Sequence, residues 1–190
     1  MSVEFVGYKG ARHVRQPVGS ELCFAAIVAS MSGADVTEAH QVLGEAELSE
    51  ADGTTFPMGA AELAVAGSVI AIEPVKDPFD GAADDPETVM AMMDEQFVAG
   101  RAVALLHKKN SNPDNTDCHW TLLVGYTLAD GQKGAIRAMD PMQQHMNYFR
   151  HELVAGMIER SRSLGFYAYA LSVSRPDATA KQPAGAEAAV

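Results

Sequence analysis

Between Cys23 and Ser32 the large apolar residues recur at the i, i+3, i+4 and i+7 spacing of one helix face. Small residues such as Ala26 and Ser30 form a second face, and Gly33 is typical of the position just past a helix end. The pattern therefore predicts a helix over 23–32 that is buried on most of its sides.

Weaker helical signals follow. Thr37 is expected to cap a second helix that ends near Leu43, and residues 58–66 are interpreted as a third helix. The run at 85–87, Asp-Pro-Glu, combines a cap, a proline in the first turn and an acid near the positive end of the helix dipole. It predicts a helix that ends at Gly100. The residues expected to face inward from this helix are Val89, Met93 and Phe97.

After residue 100 the pattern is mainly that of β-strands. Asp130-Gly131 is a two-residue hairpin signal between two apolar runs. One helix is expected at about 151–161. The predicted strands of the whole chain are 2–8, 69–75, 101–107, 119–128, 135–139 and 165–174.

These elements predict an α+β fold. We expect a helical N-terminal lobe, about residues 1–100, packed on an antiparallel β lobe, about residues 101–174, in a single domain. The chain of 190 residues is long enough for one such domain with its own core. Residues 175–190 are rich in Ala, Pro and Gly without a core-forming pattern, which predicts a flexible C-terminal tail.

Composition narrows the function. Apolar residues make up 47% of the chain and charged residues 21%, as in globular proteins, and the net charge of −11 argues against nucleic acid and anionic membranes as partners. An acidic surface would favour a basic substrate by electrostatic steering. The N-terminus lacks the apolar segment of a secretory signal, and no apolar run reaches the length of a membrane span. We expect a cytoplasmic protein, with signal-independent export as the alternative.

Cys23 is a candidate nucleophile. It begins the first predicted helix, where the positive end of the dipole favours the thiolate, the form in which a cysteine attacks. A partner that exchanges protons with the thiol is also required, most often a histidine. The alternative is that Cys23 is a small buried core residue.

His119 and Asp140 lie on the predicted hairpin. With a two-residue turn at 130–131, the residue opposite Asp140 is Thr121, and a longer loop brings Asp140 toward His119. Opposed and diagonal residues on one face are about 5–8 Å apart, so Asp140 is expected to orient the His119 ring. The alternatives are a structural histidine and an ordinary Asp-Pro turn. His107 is the reserve candidate for the base if the register differs.

Cys118 neighbours His119 and therefore points to the opposite face of the strand, which favours a packing role over that of nucleophile. The same argument disfavours a Cys23–Cys118 disulfide. Adjacent Cys and His residues are poorly spaced as zinc ligands, and no metal or other cofactor is expected. Gln16 is the only glutamine ahead of Cys23, so its amide is the candidate second donor of an oxyanion hole, and a solvated loop residue is the alternative.

Taken together, these residues resemble the papain-like cysteine peptidases, especially compact bacterial types: bacteriocin-leader peptidases, staphopain-like enzymes and plant-pathogen effector proteases. The resemblance covers residues 16–141, and its most specific part runs from the histidine to the aspartate. The matching residues are Gln16, Cys23-Phe24-Ala25-Ala26, His119 through Tyr126 in the run His-Trp-Thr-Leu-Leu-Val-Gly-Tyr, and Asp140-Pro141.

The resemblance implies a papain-like fold with the site between two lobes. It implies Cys23 as nucleophile, His119 as general base and acid, Asp140 as the residue that orients it, and Gln16 in the oxyanion hole with the Cys23 amide. We therefore expect a cysteine peptidase acting on a peptide or protein through a thioester. The alternatives are an acyltransferase, peptide ligase or deamidase that uses the same site, a catalytically silent peptide-binding domain, and an unrelated α+β domain with a core cysteine.

Overall fold

The computed structural model of the protein describes residues 3–54, 59–75, 85–109, 117–162 and 168–175. Over these ranges the fold is mixed α/β, with four helices and an eight-stranded antiparallel sheet. None of the helices in these ranges has the length and apolar character needed to cross a bilayer. In chain order the elements are β1 Val3–Gly7, α1 Cys23–Ser32, α2 Val36–Glu45, β2 Ala61–Val65, β3 Ser68–Pro74, α3 Pro86–Val98, β4 Ala102–Lys108, β5 Cys118–Ala129, β6 Gln132–Met139, β7 Asn147–Phe149, α4 His151–Ser161 and β8 Ala168–Ser174.

Strand β5 is the long central strand on which the site is built. The strand order is β2-β3-β8-β4-β5-β6-β7, and β1 also pairs with β5. Strand β4 pairs with residues 118–123 of β5 and β1 with residues 125–129, so they follow each other along one edge. On the other edge β6 begins pairing only at Leu122, opposite Met139. The start of β5 therefore lies beside the segment that leaves β6 at Asp140.

Helices cover both faces of the sheet. All ten residues of α1 are buried, as the sequence predicts, and the Phe24 ring packs edge-on against Trp120 with 4.8 Å between centroids. Helices α3 and α4 bury Met93, Phe97 and Ile158 in a separate cluster on the opposite face. Because α1 is enclosed, its N-terminus has a fixed place against the sheet.

The predicted hairpin is confirmed. Asp130 and Gly131 both have positive φ angles, 49° and 80°, as a two-residue hairpin turn of the I′ type requires. The pairing of β5 with β6 is shifted at two irregular positions. The two shifts are opposite, so Leu122 lies opposite Met139, as a ladder without irregularities would place it. Asp140 thus follows at the level of Thr121, one diagonal step from His119.

The predicted helix over 58–66 is wrong where the structure describes it. Residues 61–65 form strand β2, in which Leu63 and Val65 are buried while Glu62 and Ala64 are exposed, an alternation of period two. A tight turn at Ala66-Gly67, again with positive φ angles, leads into β3. Ala, Glu and Leu favour helices locally, but pairing with β3 overrides that preference. Residue 58 lies outside the described residues.

Two other expectations are corrected. The cap of α2 is Asp35, whose carboxylate accepts a hydrogen bond from the Glu38 N–H at 2.8 Å, and not Thr37. A helical lobe over residues 1–100 and a β lobe over 101–174 are not separated, because strands β1, β2 and β3 belong to the same sheet as the later strands. Short β7 was not predicted. The proposed tail lies outside the described residues except for Arg175.

Gly125 is needed where β1 pairs closely with β5. It pairs with Gly7, both with φ near +135° (134° and 137°), and a Cβ at 125 would lie 2.1 Å from the Val6 carbonyl oxygen. We expect Gly125→Ala to lower the free energy of unfolding by about 2–4 kcal/mol, measured by urea denaturation. The control is Gly44→Ala in α2, where no described atom outside the helix's own backbone lies within 4 Å of the new methyl, and it is expected to be neutral or stabilising. Equal effects of the two substitutions would contradict this account.

Candidate functional site

Cys23 is the first residue of α1. Its side chain is 7% exposed, and the thiol donates to the Glu21 carbonyl oxygen with 3.8 Å between sulfur and oxygen. Leu22 occupies the cap position, and in the described part of the chain no side chain caps this helix and no acid lies in its first turn. The N–H groups of the first turn are therefore not claimed by a side-chain acceptor, which leaves them suited to stabilise negative charge.

His119 and Asp140 are in direct contact, as the register predicts. The distance between Nε2 of His119 and Oδ1 of Asp140 is 2.7 Å. Both side chains are shielded from solvent, with exposed fractions of 5% and 17%. Oδ1 of Asp140 also accepts a hydrogen bond from the Met142 N–H at 2.9 Å, which fixes the carboxylate. This arrangement determines which ring nitrogen faces the acid, and Nδ1 is left for another partner.

The other partner of His119 is Cys23. Burial by itself would lower the pKa of His119, but hydrogen bonds to Asp140 and to Cys23 outweigh it and raise the pKa to about 9. For Asp140, burial would raise the pKa, and the hydrogen bonds from His119 and the Met142 N–H lower it instead. At neutral pH the histidine is consequently an imidazolium between a carboxylate and a sulfur. The thiol of Cys23, the imidazole of His119 and the carboxylate of Asp140 are thus in contact in that order, and we call this arrangement the Cys–His–Asp row.

Gln16 is tied to the site through its backbone. Its N–H donates to the Pro141 carbonyl oxygen at 3.0 Å, which ties the segment ahead of α1 to the residue after Asp140. The side-chain Nε2 donates to the Ser20 carbonyl oxygen at 2.6 Å, and Oε1 is buried without a hydrogen-bond partner among the described residues. An amide nitrogen has two hydrogens, so a second donor function of Nε2 is compatible with the Ser20 contact.

Cys118 differs from Cys23 in its setting. It is half-buried and packs against the core cluster that contains Cys23, and both cysteines are free thiols. Burial raises the pKa of the Cys118 thiol, and the charge of Lys108 opposes that effect. A raised pKa reduces the thiolate fraction at neutral pH, which makes Cys118 the less reactive of two sulfurs if Cys23 is activated by His119.

His107 does not take the place of the base, because the register is as predicted. It pairs with His119 across β4 and β5, and both of its ring nitrogens have partners. Nδ1 lies 3.1 Å from the Lys108 carbonyl oxygen and Nε2 lies 3.0 Å from the Thr121 hydroxyl. The sequence singled out His107 only as a reserve base; that it lies directly opposite His119 was not predicted, because it depends on the register of β4 against β5.

Two backbone contacts of the site also escaped the sequence. They are the Met142 N–H that fixes Asp140 and the Pro141 carbonyl oxygen that holds Gln16. The first has a local signal, since an aspartate commonly accepts a hydrogen bond from the N–H two residues later. The second joins segments more than a hundred residues apart and has none.

Comparison with known proteins adds no further assignment. The chain matches no model of a known protein family, and no curated protein matches its sequence. Among the described residues, no group of three or more His, Cys, Asp or Glu side chains is arranged to hold a metal ion. The class that the fold and site define is therefore a mixed α/β protein with a Cys–His–Asp row at the start of a buried helix.

Proposed function

We propose that this protein is a papain-like cysteine peptidase that hydrolyses a peptide or protein through a thioester intermediate. The observation that carries the proposal is the contact of His119 with both Asp140 and Cys23, at the N-terminus of a buried and uncapped helix. A row of thiol, imidazole and carboxylate is the arrangement that activates a cysteine nucleophile.

In the first half of the reaction the Cys23 thiolate attacks the carbonyl carbon of the scissile peptide bond. A carbon–sulfur bond forms, and the carbonyl oxygen becomes an oxyanion next to the Cys23 N–H and the Gln16 amide. The intermediate collapses as the carbon–nitrogen bond breaks, and His119 gives its proton to the leaving amine. Asp140 keeps the imidazole in the required orientation throughout.

In the second half, water attacks the thioester. Neutral His119 takes a proton from the water, the carbon–sulfur bond breaks, and an acid and the Cys23 thiolate are released, again beside an imidazolium. If an amine replaces the water, the same thioester leads to acyl transfer or ligation, and a side-chain amide substrate leads to deamidation. These alternatives differ in the acceptor or the substrate and not in the row of three residues.

The test is turnover of a peptide library made by digesting a proteome, with products identified by mass spectrometry. We expect new peptide termini with the wild-type chain and none with Cys23→Ala, since Cys23 is the nucleophile in the proposed reaction. Products joined to an added amine would instead favour the acyltransferase. Peptides retained equally by both proteins, with no Cys23-dependent product, would favour the silent peptide-binding domain.

Gln16 is expected to affect hydrolysis and not simple alkylation. Attack of the thiolate on iodoacetamide forms no oxyanion, so Gln16→Ala leaves that rate near the wild-type value, while peptide hydrolysis falls about a hundredfold. The control is Ser20→Ala, which removes the hydroxyl that donates to the Pro17 carbonyl oxygen but retains the Gln16 amide. Undiminished hydrolysis by Gln16→Ala would show that Gln16 only ties two segments together.

A further inference from the structure

His107 is a buried titratable group to which the proposed reaction gives no role. It lies directly opposite His119 in the β4–β5 ladder, and its side chain is shielded on the face that α4 covers. The two imidazole rings are nearly perpendicular, at 89°, with 5.6 Å between centroids. An edge-to-face contact of this kind restricts the tilt of both rings.

The hydrogen bonds of His107 determine its tautomer. The Lys108 carbonyl oxygen can only accept, so Nδ1 carries the hydrogen. In the neutral ring Nε2 is then an acceptor, and the Thr121 hydroxyl must donate to it. With both nitrogens engaged, the ring cannot exchange a proton with Cys23 or His119 and is held in one rotamer.

Burial is the main reason that His107 is neutral. Burial and the positive charge of His119 lower its pKa, the hydrogen bond to the Lys108 carbonyl opposes them, and the pKa that results is about 4. The remaining charged groups that act on it are Asp140, beyond the end of β6, and Arg160 on α4. At neutral pH one charged and one uncharged imidazole therefore lie side by side.

We propose that His107 is a positioning residue for His119: its fixed, uncharged ring forms the wall that holds the His119 imidazolium between Asp140 and Cys23. The inference rests on the proposed function, because it assigns a task to His107 only if the Cys23–His119 pair is reactive. The surface of the His107 ring contacts the His119 ring and limits its tilt, and the hydrogen bonds to Lys108 and Thr121 hold the His107 ring in place.

Two substitutions of His107 distinguish the effect of its aromatic ring from the effect of its hydrogen bonds. His107→Phe retains an aromatic ring but leaves the Lys108 carbonyl and the Thr121 hydroxyl without their partner, so it lowers the melting temperature. His107→Gln retains an acceptor for Thr121 but has no ring. If His107 had only a structural role, the alkylation rate of Cys23 would fall in proportion to the loss of stability in each variant. If it positions His119, the rate falls in the variant without a ring, His107→Gln, and is retained in His107→Phe.

The measurement is the rate of Cys23 alkylation by iodoacetate from about pH 4 to 10, on the full chain, by mass spectrometry. This anionic reagent is attracted by the imidazolium, so the rate falls at high pH as His119 loses its proton. For His107→Gln we expect a rate about tenfold lower at neutral pH and a falling limb displaced downward by about one pH unit. His107→Phe is expected to retain most of the wild-type rate and the position of the limb, despite its lower melting temperature.

The outcomes are distinct. A wild-type profile for His107→Gln, or equal loss and equal displacement for both variants, overturns the positioning role. If neither variant folds, the same profile is measured on Thr121→Val. We expect its falling limb to be displaced downward by less than one pH unit. A limb that stays at the wild-type position would overturn the proposal. His151→Ala, a half-buried histidine bonded to the Gly134 carbonyl, is the control that leaves the profile unchanged. Slow labelling of Cys23 in the wild-type chain itself, indifferent to His119, rejects the proposed function instead.

Discussion

Replacing His119 with alanine is expected to slow alkylation of Cys23 by iodoacetamide about a hundredfold near pH 6.5. In the wild-type chain the imidazole, with a pKa of about 9, is charged at this pH. Under the proposed function this charge stabilises the attacking sulfur, and without it only the helix N-terminus remains to do so. An ordinary cysteine with a pKa of about 8.5 is only about 1% ionised near pH 6.5. The rate is measured on the Cys23 peptide by mass spectrometry over time.

Cys118 serves as the internal control of the same experiment. Burial raises the pKa of its thiol, so its slow labelling is expected to be similar in both proteins. His145→Ala, at an exposed position outside the helices and strands, is the matched histidine substitution and should leave both rates unchanged. Slow and equal labelling of both cysteines, with no response to His119→Ala, would reject an activated thiol and leave a binding or structural domain.

Replacing Asp140 with alanine is expected to move the pKa of His119 from about 9 toward its ordinary value of 6.5. Burial then favours the neutral ring, and the interaction with Cys23 opposes it. The pH range in which His119 is charged therefore becomes narrower from the alkaline side. The falling limb of the iodoacetate profile measures this directly, and a limb unchanged in Asp140→Ala would contradict the role of the carboxylate.

The same substitution has a predicted effect on stability. A rise of the His119 pKa from 6.5 to about 9 on folding corresponds to about 3 kcal/mol, of which Asp140 supplies one part and Cys23 the other. This contribution is fully present below pH 6.5 and is lost as the pH rises through about 9. The lowered pKa of Asp140 makes a contribution that is present above 3.8 and is lost as the pH falls through the folded value.

Wild-type and Asp140→Ala chains are thus expected to differ most in unfolding free energy between about pH 4 and 6.5. The difference becomes smaller as the pH rises through about 9, and the part that belongs to the Asp140 carboxylate remains. Urea denaturation at a series of pH values measures the difference. Glu62→Ala, an exposed carboxylate on β2, is the control and is expected to change stability by no more than about 0.5 kcal/mol at any pH. A difference that does not vary with pH would mean that Asp140 acts by packing alone.

Local sequence signals were sufficient where one element decides its own structure. Helix α3 begins at the predicted Asp85 cap, whose carboxylate accepts from the Thr88 N–H at 2.9 Å. The Asp130-Gly131 turn needs no distant contact, since its two positive φ angles suit these residues. In contrast, residues 61–65 have helix-forming composition and become a strand because β3 offers a partner. Such pairing is not visible in a short window of sequence.

For the site, the order and the type of each residue could be identified from the sequence, and part of the geometry followed from the hairpin. The contact between His119 and Asp140 is such a case, because both lie on strands joined by one short turn. Cys23 and His119 are almost a hundred residues apart, and their hydrogen bond depends on how α1 packs on the sheet. The partnership of His107 with His119 likewise depends on the register of β4 against β5.

The sequence alone determined the buried helix that begins at Cys23, the hairpin that brings Asp140 to the level of Thr121, and the residue types of a thiol–imidazole–carboxylate row. Those features depend on periodicity, turn chemistry and alternation, which act over a few residues. The tertiary structure decided that β1, β2 and β3 join the later strands in one sheet, that α1 presents its N-terminus to His119, and that a second, neutral histidine lies beside it. These depend on the burial of apolar faces between distant segments, which no local pattern specifies.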